Sequence, residues 1–189
     1  MNPAAAPTTD LTTQLLAECR DRPVVYDGVR TDLCAELEQV ILNRMQLDRG
    51  GRRTGSLNVG GWKSGEDFFA WADPAVQALR SAIADLIGQH PLIGGAMVNR
   101  AGSHHPRHQH RAAMLSGVFY VSPGSADAIT PTVFECPCDG RAVRPGERFE
   151  MDVEPHPGRL VICRGETWHF LPKYVGELPR ITVAFDVRR

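Results

Sequence analysis

The part of the chain from Gly94 onward consists of short apolar runs separated by Gly, Pro and Asp. Runs of this length and composition predict β-strands, and the turn residues between them predict short connections. Six or seven such strands in succession indicate a sandwich or a closed sheet. The predicted strands cover residues 96–100, 114–121, 132–136, 148–153, 159–163, 167–171 and 180–187.

The preceding part of the chain predicts two helices. Apolar residues recur at helical spacing over residues 31–47, and a second stripe runs over residues 73–88. Asp73 followed by Pro74 is typical of a helix start, and Gly88 is typical of a helix end. We therefore predict an α+β fold, with a jelly-roll core and two N-terminal helices packed on it.

Length and composition favour one domain. A chain of 189 residues, 42% of them hydrophobic, can bury a single core. The prediction is one domain over residues 23–189, preceded by a flexible segment over residues 1–22, because the first ten residues are mostly Ala, Pro and Thr without periodicity.

Charge and cysteine content limit which partners and which cellular compartment we expect for the protein. The 21 basic and 22 acidic residues nearly cancel, which disfavours nucleic acid as a partner. No apolar run approaches the roughly 20 residues that cross a bilayer, and the first residues do not resemble a signal peptide. Five scattered cysteines argue against a disulfide framework. We predict a cytoplasmic protein that binds no membrane.

Four histidines fall within seven positions, at His104, His105, His108 and His110. Imidazole is a common ligand of iron, zinc and copper. If a strand begins near His108, a spacing of two places the rings of His108 and His110 on one face, where both reach one ion. His105 is out of phase by one residue. The alternative interpretation is a solvated histidine-rich loop before a strand.

Two residues farther along the chain extend the metal hypothesis. His169 lies near the end of a later predicted strand, and in a jelly roll it can meet the earlier pair inside the barrel mouth. Three protein ligands leave coordination positions open for substrate and dioxygen. Arg180 opens the last predicted strand, where its guanidinium can bind a carboxylate in a bidentate manner. Taken alone, Arg180 is better interpreted as an ordinary surface arginine at the start of a strand.

Three ordered motifs resemble those of a small bacterial and phage family of 2-oxoglutarate and iron(II)-dependent oxygenases. The family's early motif, Ser-Asn-x-Gly-Gly-Trp-x-Ser, is matched by residues 56–64 with Leu57 as an extra residue. The middle motif, H-x-H followed by Ser-Gly-Val-Tyr-Tyr-Val, is matched by His108, His110 and residues 116–121. The late motif pairs Trp-His with Arg-Ile-Ser-Ile-Ser-Phe-Asn, here at residues 168–169 and 180–186. One motif alone would be weak, and the three together are strong.

The resemblance implies a double-stranded β-helix with iron(II) held by His108, His110 and His169. It implies 2-oxoglutarate as the second cofactor, with Arg180 pairing its distal carboxylate and Tyr120 or Thr182 adding a hydrogen bond. The implied reaction is oxygenation of a small molecule or an amino acid side chain by dioxygen, coupled to decarboxylation of 2-oxoglutarate to succinate. The sequence leaves open whether the protein forms a homodimer.

The chain departs from the superfamily at one ligand. The usual set is two histidines and one carboxylate, whereas the residue two after His108 is His110. Glu135 and Asp139 are the nearest downstream carboxylates, and nothing in the spacing directs either inward. The alternatives are a cupin-like three-histidine dioxygenase that does not use 2-oxoglutarate, and a non-catalytic jelly roll that binds a metal or ligand.

Overall fold

A computed structural model describes residues 10–48, 57–136 and 149–188. Within these ranges the chain forms three α-helices and ten β-strands. The helices are α1 (Leu11–Glu18), α2 (Cys34–Leu47) and α3 (Pro74–Ile87). The strands are β1 (Val24–Tyr26), β2 (Trp62–Lys63), β3 (Leu92–Asn99), β4 (His105–His108), β5 (Leu115–Ser122), β6 (Thr132–Cys136), β7 (Phe149–Val153), β8 (Leu160–Arg164), β9 (His169–Leu171) and β10 (Arg180–Val187).

The strands form two antiparallel sheets. The larger has six strands in the order β1-β8-β5-β10-β3-β2, and the smaller has four in the order β4-β9-β6-β7. Between the sheets, buried side chains of β5 and β8 pack with those of β6 and β7 in one apolar cluster. Strand β10 is central to the large sheet, because it pairs with β3 on one side and β5 on the other. This is the predicted jelly-roll core, a double-stranded β-helix.

The helices pack on one face of the large sheet and close the main apolar core with it. Helix α3 buries Val76, Leu79, Ile83 and Ile87, which recur at helical spacing. Its start is capped by Asp73, whose carboxylate accepts a hydrogen bond from the Ala75 backbone N–H at 3.0 Å. The predictions of helices over 31–47 and 73–88 are confirmed.

Helix α1 lies within residues 1–22, the segment predicted to be flexible. Leu15 and Thr12 of this helix are buried, and the Thr12 hydroxyl donates to the Ile87 carbonyl at the end of α3. Contact with α3 orders a segment that has only weak periodicity of its own. Residues 1–9 lie outside the described ranges.

All seven predicted strands are present within a few residues of their predicted bounds. Three short strands were missed, namely β1, β2 and β4. Strand β1 adds to the edge of the large sheet beside β8, and β2 adds to the opposite edge beside β3. Strand β4 ends at His108 instead of beginning near it. Strands this short carry too little alternation to be recognised in the sequence.

Among the described residues, no helix is both long enough and apolar enough to cross a membrane.

Candidate active site

His108, His110 and His169 lie together at one end of the cavity between the sheets. Strand β4 pairs with β9 so that His108 is directly opposite His169. The ring centroids of His108 and His169 are 4.3 Å apart, and that of His110 lies 5.1 Å from His108 and 5.3 Å from His169. One ring nitrogen of each residue lies within 4.8 Å of the other two. Such a cluster can hold a metal ion.

The predicted reason for the convergence of His108 and His110 is wrong, although the two rings do converge. His110 follows β4 in a connection and is not part of a strand, so the two-residue alternation does not apply to it. Its backbone N–H donates to the Gly165 carbonyl at 2.6 Å, which ties this connection to the end of β8. The loop conformation therefore directs the His110 ring toward the other two.

Hydrogen bonds at Nδ1 orient all three imidazoles. The Nδ1 atoms of His108 and His169 lie 2.8 Å and 3.0 Å from the carbonyls of Pro106 and Thr167. A carbonyl only accepts, so each Nδ1 carries the proton and each Nε2 keeps its lone pair. The donor set therefore fits a transition-metal ion bound through Nε2, which is the usual arrangement of a ligating histidine.

The third ring is oriented by a carboxylate that the sequence analysis missed. His110 Nδ1 lies 2.9 Å from Oδ1 and 3.1 Å from Oδ2 of Asp186 on β10. Asp186 shares the inward face of β10 with Arg180, Thr182 and Ala184, since alternate residues of a strand point the same way. The two-residue alternation of the predicted strand, followed from Arg180, would have identified Asp186 in the sequence.

Burial favours the neutral form of two of these histidines, His108 and His169. Burial, together with the smaller effect of the neighbouring His108, lowers the pKa of His169 to about 3. The pKa of His108 is also lowered by burial. Neutral imidazole is the form that binds a metal, so protons compete weakly for these two ligands near neutral pH.

Arg180 lies at the other end of the cavity and is 3% exposed. One of its terminal nitrogens donates to the Thr132 hydroxyl at 2.9 Å, and its guanidinium lies 5.2 Å from the centre of the Tyr120 ring. The Tyr120 hydroxyl donates to the same Thr132 oxygen at 2.7 Å. Arg180 Nε is buried with no hydrogen-bond partner among the described residues. A buried cation with an unused donor fits a carboxylate ligand.

The other predicted site residues take different positions. Thr182 is buried and lines the cavity. Tyr120 is fully buried outside the lining, and its hydroxyl contacts Thr132, a lining residue that the sequence analysis missed. His105 also lines the cavity, with its ring 5.0 Å from that of His108, but it is outside the cluster of possible ligands. Glu135 pairs with Arg107 and is directed away from the ligands. Asp139 lies outside the described residues.

The cavity that joins the histidines to Arg180 has a volume of about 150 Å³. This is below the roughly 300–1,000 Å³ of pockets that enclose drug-sized ligands, so a compact molecule fits between the two ends. A cluster that can hold a metal ion at one end, and at the other a guanidinium with no carboxylate partner among the described residues, suit a small keto acid. Fold and site together define a metal-dependent oxygenase of the double-stranded β-helix class.

Sequence comparison supports this class. Residues 96–186 match the family described as "Putative 2OG-Fe(II) oxygenase". The matched part of the chain contains both ends of the cavity, and the protein is an oxygenase whose cofactors are iron(II) and 2-oxoglutarate. A search of curated protein sequences returns no match.

Solved structures share the fold at low sequence identity. A Pseudomonas putida prolyl-4-hydroxylase is 19% identical over 94% of this chain and 98% of its own, with a TM-score of 0.66. A prolyl hydroxylase from Trichoplax adhaerens is 15% identical over 93% and 89%, with a TM-score of 0.67. The epimerase SnoN in complex with Fe3+, alpha ketoglutarate and nogalamycin RO is 16% identical over 93% and 82%, with a TM-score of 0.64.

Proposed function

We propose that His108, His110 and His169 bind iron(II) and that Arg180 binds the distal carboxylate of 2-oxoglutarate. The substrate we propose is a small molecule or an amino acid side chain, oxidised at a C–H bond. The observation that carries the proposal is the placement of three lone-pair nitrogens and one unpaired guanidinium at the two ends of a single small cavity.

The metal end supplies ligands and orientation. When bound, iron(II) and 2-oxoglutarate supply the oxidative chemistry, in which the keto acid is converted to succinate and CO2. Three protein ligands leave other coordination positions open for keto acid and dioxygen. The carbonyls of Pro106 and Thr167 and the carboxylate of Asp186 hold the rings in the tautomer that presents Nε2.

The arginine end selects a carboxylate. Both lone pairs of the Thr132 hydroxyl oxygen accept hydrogen bonds, one from Arg180 and one from Tyr120, so its proton remains available to donate. The Thr182 hydroxyl lies on the same wall of the cavity. A carboxylate between them would accept charge-assisted hydrogen bonds in a site with little water, where such bonds are strong.

The similar solved structures support a proposed substrate class that includes both amino acid side chains and small molecules. Two of the similar structures are prolyl hydroxylases, and a third is an epimerase solved with nogalamycin RO. An amino acid side chain and a small molecule are therefore both compatible with this architecture. Iron(II) and 2-oxoglutarate would fill most of a cavity of about 150 Å³, so we propose that the substrate enters from the metal end.

The test is anaerobic addition of iron(II) and then 2-oxoglutarate to the full chain. A weak visible charge-transfer band is expected when a keto acid chelates iron(II). Intact iron binding without the band contradicts the proposal and favours a three-histidine dioxygenase that does not use 2-oxoglutarate. Absence of iron binding favours a non-catalytic jelly roll.

A further inference from the structure

Lys63 is a positively charged residue of the cavity, and the proposed function assigns it no contact with iron(II) or 2-oxoglutarate. It lies on β2, directly across from Met97 on β3, and Met97 is in turn across from Thr182 on β10. All three residues line the cavity. Lys63 therefore extends the inward face of the large sheet by one more strand, at the rim of the site.

The Lys63 side chain runs toward the metal end and away from Arg180. A Cβ placed on Gly95 would lie 3.4 Å from Lys63 Cε, so the end of the lysine stem lies against the sheet at Gly95. Gly95 pairs with Ala184, the inward-facing residue next to Asp186, whereas Arg180 pairs with Asn99.

The cavity contains no anion for Lys63. Among the described residues that line it, none is Asp or Glu, and the carboxylate behind it, Asp186, contacts His110. Lys63, Arg180 and a divalent ion bring four positive charges, whereas 2-oxoglutarate and Asp186 bring three negative charges. One positive charge stays uncompensated in a half-enclosed site, where Coulomb interactions are stronger than in bulk water.

We propose that Lys63 binds an anionic group of the primary substrate, a carboxylate or a phosphate, and holds it near the metal end of the cavity. The inference rests on the proposed function, because it assigns Arg180 to 2-oxoglutarate and leaves Lys63 for the substrate. His105 is a second donor for the same anion, since it lines the cavity and is outside the metal cluster. The substrate is thus an acidic small molecule or an acidic residue.

The experiment compares the wild type with Lys63→Gln, and Lys173→Gln serves as the matched control. Lys63 and Lys173 are the two lysines of the chain, and Lys173 is exposed and outside the cavity. Each full-length protein is loaded anaerobically with Mn(II) and 2-oxoglutarate. Trifluoroacetate and trifluoroacetamide, which have similar shapes and different charges, are then titrated separately while the broadening of their ¹⁹F resonances by Mn(II) is measured.

The wild type and Lys173→Gln are expected to broaden the trifluoroacetate resonance and to leave that of trifluoroacetamide sharp. Lys63→Gln should need about tenfold more trifluoroacetate for the same broadening, which corresponds to one lost charge-assisted hydrogen bond. Equal broadening by Lys63→Gln and wild type overturns the proposal, as does equal broadening of the amide. A weaker affinity for 2-oxoglutarate in Lys63→Gln also overturns it, because Lys63 would then belong to the cofactor.

Failure of the proposed function is measured separately. If the wild type binds neither Mn(II) nor 2-oxoglutarate, the cofactor assignment is wrong. The ¹⁹F chemical shift of trifluoroacetate is then titrated with the metal-free proteins, and Lys63 is judged by the same comparison of Lys63→Gln with Lys173→Gln.

Discussion

The imidazole of His110 and the carboxylate of Asp186 are joined by a hydrogen bond, with Nδ1 3.1 Å from Oδ2. The side chains are 28% and 22% exposed, so this pair is shielded but not sealed from water. A carboxylate behind a neutral ligand increases the basicity of that ligand and returns one negative charge to the site. The three-histidine cluster thereby recovers the charge that a carboxylate ligand would have supplied.

Replacing Asp186 should weaken metal binding. We expect Asp186→Ala to reduce the affinity of the metal-free protein for Co(II) by about 10–100-fold, the usual effect of losing the partner of a ligating histidine. Asp186→Asn retains an acceptor for His110 Nδ1 and loses the negative charge. A Co(II) affinity between those of Asp186→Ala and the wild type would show that ring orientation and charge each contribute to metal binding. Titration monitored by the Co(II) visible spectrum measures both. Asp152→Asn, at an exposed position of β7, is the control and should match the wild type.

Removing one imidazole should abolish stabilisation by metal. Iron(II) at a hundred times its Kd stabilises the wild type by about 2.7 kcal/mol, because it binds only the folded state. His169→Ala should show no rise in Tm on addition of iron(II) under anaerobic conditions, whereas His156→Ala, an exposed turn variant, should show the full rise. An unchanged rise for His169→Ala would remove His169 from the ligand set.

Arg180→Met should separate binding of 2-oxoglutarate from stability. The variant keeps the length of the side chain and removes the buried charge, so the metal-free protein should be at least as stable as the wild type. Affinity for 2-oxoglutarate should fall by about a hundredfold or more, because the distal carboxylate loses its charged partner. Calorimetric titration of the metal-loaded proteins measures this change. Retained affinity, with unchanged metal binding, would contradict the role of Arg180.

The metal-free protein should lose stability as the pH falls from about 6.5 toward about 3. Burial lowers the pKa of His105 and of His169 from 6.5 to about 3, so between these values the unfolded chain binds more protons than the folded one. The free energy of unfolding therefore rises with pH in this window and levels off above it. Urea denaturation at several pH values measures the slope. His105→Gln should make it shallower, and an unchanged slope would show that His105 does not contribute.

The long elements of the fold could be predicted from the sequence. Strands such as β5 and β10 carry long apolar runs, and α3 carries an amphipathic stripe between Asp73 and Gly88. The short edge strands could not be predicted, because β1 and β2 exist through pairing with β8 and β3 and have almost no pattern of their own. Helix α1 depends in the same way on its contact with α3.

The candidate site was predictable in its residue types and less so in its contacts. His108, His110, His169 and Arg180 were chosen from spacing and motifs, and they occupy one cavity. Asp186 and Thr132 were missed because their partners are far along the chain: His110 and Asp186 are 76 positions apart, and Thr132 and Arg180 are 48 positions apart. No local periodicity links residues at such separations, which only the register of the sheets brings together.

Strand β10 carries groups from both ends of the cavity on one continuous backbone. Arg180 begins it, and Asp186, which supports His110, lies six residues farther on, a span of roughly 20 Å at about 3.3 Å per residue. Strand β10 pairs with β3 on one side and with β5 on the other, and this pairing fixes its extended length and its register. The distance between the two ends of the cavity is therefore fixed by the backbone, and the site should accept the five-carbon keto diacid and reject homologues one carbon shorter or longer.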